Sequence, residues 1–185
     1  MPQASALFPG YADAVRRWKL GHQVFHLQLI VMNSTLADLH AACGQARWEE
    51  ADRLLHGLTH LYDAATASMK YAADFPPHAY RELIRPSMGE PFLSPGFSGT
   101  LNNDHGLMLA GLRELRARLR DHRDAGRLPR STAAAAKALW SAQARNRRHH
   151  MLVCERFVPG GESQLREFLS GQDTAEHSDR EKGQP

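Results

Sequence analysis

Between Trp18 and Cys43 the apolar residues recur at alternating intervals of four and three. Trp18, Phe25, Leu29, Met32, Leu36, Leu39 and Cys43 form the series, and His22 fills its one remaining place. Such a stripe lies on one face of an α-helix and requires other helices to bury it. A second inner face is predicted from Trp48, Ala51, Leu55, Leu58, Tyr62, Ala65 and Met69, and a third from Leu101, His105, Met108, Leu112, Leu115 and Leu119. A fourth runs back from Phe157 through Val153, one of His149 and His150, Asn146, Gln143 and Leu139. Runs of β-branched residues are absent, so the chain is expected to be all-α, an antiparallel helical bundle with a long central loop.

The punctuation sets the boundaries. The first helix is predicted over residues 12–42, stopping near Gly44. The second starts around Ala46 and ends before Pro76 and Pro77, which cannot continue it. A short helical turn over 78–84 leads into 86–99, rich in Pro, Gly and Ser. Irregular chain of that length inside a helical domain usually binds or covers something. The third helix is expected over 102–124, and Gly126 and Pro129 precede the last long one, which Ser131 should cap and which should reach Phe157. A weak helix over 163–169 completes a single domain, residues 1–169, and the polar stretch 170–185 reads as a disordered tail.

A chain of 185 residues can bury a core without staples. Cys43 and Cys154 make no metal-type spacing, and a reducing compartment is the simpler reading. No stretch approaches the roughly 18 apolar residues of a membrane helix, nor does the N-terminus resemble a secretion signal, so a soluble, cytoplasmic protein with no membrane partner is expected. Net charge is +3. Arg113, Arg116, Arg120, Arg123 and Arg127 recur at helical spacing, but Glu114, Asp121 and Asp124 dilute them. With no aromatic stacking set or zinc finger beside it, this is a solvated face and nucleic acid is not expected as a partner.

The 11 histidines are the more unusual count. A buried imidazole needs a hydrogen-bond partner, and near neutral pH it can ligate a metal or move a proton. An inward His on the last helix, facing His22 across the core, suits one axial haem ligand and one distal acid or base. Arg85 presents a guanidinium fit for a carboxylate, and the small residues after Ser94 allow close backbone approach. Two alternatives stay open. His22 with His26, and His56 with His60, have the i,i+4 spacing of a non-haem metal site, although no Glu-x-x-His is present. A non-catalytic helical interaction module also explains the bundle, but not the loop or the inward histidines.

These segments, in this order, resemble the tryptophan 2,3-dioxygenase superfamily of haem-dependent aromatic oxygenases, in a shortened, divergent form. The resemblance rests on Trp18 followed by His22-Gln23, on the leucine-rich segment from Leu36 to Pro77, on Arg85 followed by Ser94-Pro95-Gly96-Phe97-Ser98, and on His150 before Glu155-Arg156. It implies haem b whose iron is held by His150, with Ser94, Gly96 and Phe97 lining the haem edge. His22 and Arg85 would act catalytically, the first on the distal side and the second holding the substrate carboxylate. Trp18 and Tyr80 would shape the substrate pocket, Arg81 being an alternative for Tyr80. The family's substrate loop is reduced here to Gly160-Gly161-Glu162-Ser163, and Asn146 replaces the aromatic residue four before the ligand. The implied activity is oxidation of a small aromatic amino acid or indole-type substrate with O2 or peroxide, by a homodimer or higher homo-oligomer.

Overall fold

The computed structural model describes residues 11–89, 91–92 and 102–158. Among these the chain is helical without strands, and four long helices carry the fold: α1 (Tyr11–Gly44), α2 (Trp48–Ala72), α3 (Asn103–Asp124) and α4 (Arg130–Phe157). The predicted stripes are the buried ones. Leu29, Met32, Leu36, Leu39 and Cys43 of α1 pack with Leu55, Leu58 and Tyr62 of α2, Met108, Leu112 and Leu115 of α3, and Leu139 of α4. The expected helix over 163–169 and the tail 170–185 lie outside the described residues.

Cap chemistry explains the ends. After α1 the chain turns on Ala46, at φ 53°, while the Arg47 amide donates to the Ala42 carbonyl at 2.9 Å. This is the left-handed closure that glycine usually supplies. Gly126, at φ 67°, closes α3 the same way, with the Arg127 amide donating to the His122 carbonyl at 2.8 Å. Asn102 caps α3, its side-chain oxygen accepting from the His105 amide. Ser131 does not cap α4 as expected. The extended backbone of Pro129 (φ −62°, ψ 150°) launches the helix two residues earlier, which leaves Ser131 inside the first turn.

Nor does helix stop at Ile84. Pro77–Ala79 runs into a π-helical turn, Tyr80–Ile84, and then into Arg85–Ser87. The Arg85 amide reaches back five residues to the Tyr80 carbonyl. Widening the turn there lets Pro86, which has no amide hydrogen, follow without breaking the helical path.

Antiparallel pairing holds between α1 and α2 but not between the two hairpins. Gln28 of α1 donates to Ser68 of α2 at 3.1 Å, and Gly21 lies against Ala72, so α1 and α2 run in opposite directions. By contrast Asn33 donates to the Asp104 carbonyl and His40 bonds that of Gly111, a constant offset that makes α1 and α3 parallel neighbours. Asp63 with Arg145, Thr66 with Asn146, and Ala73 with Arg156 make α2 and α4 parallel too. The helices that pack together across the two hairpins therefore run in the same direction.

One glycine is required by contact. A Cβ built on Gly21 would lie 2.4 Å from the Ala72 Cβ and 2.9 Å from its Cα. The lower ends of α1 and α2 touch backbone to backbone there, and His22 is the next residue.

Candidate functional site

At that end of the bundle the main core gives way to a second apolar cluster. Ala14, Ala73, Phe75, Ala79, Ile84 and Phe157 are its buried members, with Trp18, Tyr80, Met88 and Val153 packed against them. Aromatic rings dominate it: Phe157 stacks on Phe75 at 5.0 Å and on Tyr80 at 4.8 Å between centroids. Arg156 fastens the end of α4, donating to the carbonyls of Ala73 at 3.1 Å and Phe75 at 3.0 Å. Those carbonyls follow the C-terminus of α2, where a cation is favoured.

Three histidines stand at the boundary between the two clusters. His22 comes from α1, His105 from the first turn of α3 and His150 from the last turns of α4. His22 Nδ1 lies 2.7 Å from the Trp18 carbonyl and therefore donates to it, which puts the ring's lone pair on Nε2. The two rings lie 4.1 Å apart, tilted by 33°. Burial lowers the pKa of His22 and outweighs that hydrogen bond, and burial lowers His105 as well. His150 is pushed down to about 4, chiefly by burial and further by the charges of His105 and His22. At neutral pH all three are uncharged, and uncharged imidazole is the form that ligates metal or accepts a proton. Of the adjacent pair, His150 is the one that faces the other histidines.

One turn before His150, Asn146 donates to Thr66 Oγ1 at 2.9 Å, and Thr66 donates in turn to the Tyr62 carbonyl at 2.9 Å. This polar chain fixes the rotation of α4 against α2, and hence where His150 points. Cys154, one turn later and half-buried, lies near enough to Tyr80 to raise its pKa, whereas Arg85 lowers it; burial is the largest cause of the net rise.

The structure thus brings together Trp18, His22, Tyr80 and His150, with Arg85 exposed at the edge beside Tyr80. Ser94, Gly96 and Phe97 lie outside the described residues. His105 was legible as an inward residue of the third stripe, but nothing in its own sequence tied it to His150. His26 turns instead towards Asp104, 3.8 Å away. Among the described residues no group of three His, Cys, Asp or Glu side chains is arranged to hold a metal ion. Arg113, Arg120 and Arg127 are solvated as expected, while Arg116 lies over the Trp140 ring at 4.5 Å. No helix of the described residues is long and apolar enough to cross a membrane.

The histidine cluster makes the protein sensitive to acid. A base whose folded pKa is depressed takes up its proton more readily in the unfolded chain, so between pH 6.5 and about 4 the unfolded state binds more protons. Stability is therefore complete above pH 6.5 and falls as the pH drops towards 4. Each unit by which His150 is depressed is worth about 1.4 kcal/mol. The protein without bound metal or haem should show a melting temperature that declines between pH 7 and about pH 4.5, and His150→Leu should flatten that decline.

The sequence profile of the SfmD 3-methyl-L-tyrosine peroxygenase family matches residues 1–150. A 3-methyl-L-tyrosine peroxygenase of Streptomyces lavendulae is 29% identical over 109 residues, covering 57% of this chain and 30% of that protein. The chain thus spans less than a third of the length of this relative. No solved structure matches.

Proposed function

The chain belongs to the SfmD 3-methyl-L-tyrosine peroxygenase family, and from that premise we propose that it takes part in haem-dependent, peroxide-driven oxidation of an aromatic amino acid of the tyrosine type. The observation that carries this reading is the convergence of two half-buried, uncharged imidazoles, His22 and His150, beside an aromatic-walled cluster. Haem b is the cofactor this reading assigns. His150 offers a neutral donor at a half-buried position, and Trp18, Tyr80 and Phe157 supply the apolar, aromatic surroundings a macrocycle needs. Ser94, Gly96 and Phe97 are assigned to its edge. When bound, haem supplies the oxidising chemistry that no side chain can.

The chain's own residues bind, orient and move protons. Trp18 and Tyr80 are assigned to the substrate ring and Arg85 to its carboxylate, which a guanidinium pairs in a planar, bidentate fashion. His22 is assigned to the reacting side, where its Nε2 lone pair would accept a proton from peroxide or from the substrate hydroxyl. The tryptophan 2,3-dioxygenase superfamily implied by the motifs shares this division of labour, and the peroxygenase family favours peroxide over O2 and a phenol over an indole.

A second reading of His22 rests on its hydrogen bond to the Trp18 carbonyl. Donation from one ring nitrogen to a carbonyl is also how a protein orients a metal-ligating imidazole. In that reading His22 is a second iron ligand.

The assignment of Arg85 is tested by steady-state kinetics with peroxide and 3-methyl-L-tyrosine, following hydroxylated product by mass. Arg85→Ala should raise KM by about 10- to 100-fold, the worth of a charge-assisted hydrogen bond, with a smaller change in kcat. An unchanged KM would remove Arg85 from the substrate site.

A further inference from the structure

The face of α1 opposite the core carries a second apolar stripe, and this one is in water. Leu20 (44% exposed), Val24 (36%), Leu27 (62%) and Val31 (50%) follow one another at intervals of four, three and four, with Ile30 (48%) beside them. Such spacing is that of a helix–helix seam, and solvated apolar stripes of this kind mark interaction surfaces. Charge is also withdrawn from it. Residues 20–37 contain no Asp, Glu, Lys or Arg, although 23% of the whole chain is charged.

The charges return at the two ends with opposite sign. Arg16 and Lys19 stand before the stripe and Asp38 stands after it, all three exposed. Arg16 is held only loosely by its own helix, 4.0 Å from Asp13. We propose that this face pairs with the same face of a second copy of the chain, the two α1 helices running antiparallel across a two-fold axis at Leu27. In that register Leu27 meets its own counterpart, Leu20 lies opposite Ser34, Val24 opposite Ile30, and Arg16 opposite Asp38. A parallel pairing sets Arg16 and Lys19 against themselves and is disfavoured. The contact is isologous, so one patch suffices and the assembly closes at two. From Arg16 to Asp38 the seam is about 33 Å long at 1.5 Å per residue. The site histidines point to the other side of α1 and are left accessible.

Sedimentation of the purified full chain at micromolar concentration should give twice 20.7 kDa. Leu27→Glu should give 20.7 kDa with an unchanged far-ultraviolet dichroism spectrum. Because a core defect also lowers assembly, a surface test accompanies it: Asp38→Arg should weaken the dimer about fivefold or more, each pair counting twice by symmetry, and the added change Arg16→Asp should restore it. Under oxidation Leu27→Cys should cross-link to its own copy, whereas Leu20→Cys should do so only when mixed with Ser34→Cys. A parent chain that is monomeric at these concentrations overturns the proposal and leaves the face to a different protein. So does a dimer that Leu27→Glu leaves intact, or a dimer in which Leu20→Cys cross-links to itself.

Discussion

His22→Ala is expected to fold as the parent does and to lose peroxide-driven turnover by about 10²- to 10⁴-fold, the usual contribution of a positioned acid or base. The ring bonds within its own helix, to the Trp18 carbonyl four residues earlier. Alanine is also the better helix former at a mid-helix position. The loss should fall on kcat, because Trp18, Tyr80 and Arg85 remain to bind substrate. Rates of 3-methyl-L-tyrosine consumption under saturating peroxide measure it. Turnover within a few-fold of the parent would remove His22 from the chemistry. The visible spectrum of the same variant separates the two readings of the residue: an unchanged spectrum marks a proton carrier, and a shifted one marks an iron ligand.

The stripe that holds His22 was legible because burial on a helix repeats with the helix itself. Leu29, Met32, Leu36, Leu39 and Cys43 could be placed inward before any neighbour was known, and so could Met108 and Leu139. The parallel pairing of α1 with α3 was not legible, since periodicity tells which face is buried and not which helix buries it. The π turn at Tyr80–Ile84 is not legible in the sequence for a related reason. A proline at position 86 reads as a helix stop, and only the backbone shows that one wide turn absorbs it. In the site, His22 was recognisable as an anomaly on an apolar face, and so was one of the adjacent pair His149 and His150, between which periodicity does not choose. The place of His105 beside them comes from the register of α3 on α1, fixed by Asn33 and Asp104, a bond between helices that single-sequence spacing does not encode.

The second large effect concerns His150, on which the assignment of cofactor rests. Its imidazole is uncharged at neutral pH, half-buried, and aimed by the Asn146 and Thr66 pair one turn earlier. If it holds iron, its loss removes the protein's bond to the cofactor, and the neighbouring His149 cannot replace it. Adjacent residues on a helix are separated by about 100° of rotation, so a ring at 149 does not reach the same point. His150→Ala should therefore lose nearly all bound haem, and His149→Ala should keep it.

The most direct measurement is the absorption spectrum of the purified chain after haem is supplied, for the parent, His150→Ala and His149→Ala side by side. The parent and His149→Ala should show a Soret band that shifts on reduction, and His150→Ala should show none. A colourless parent, or a Soret band that survives in His150→Ala, would contradict the account.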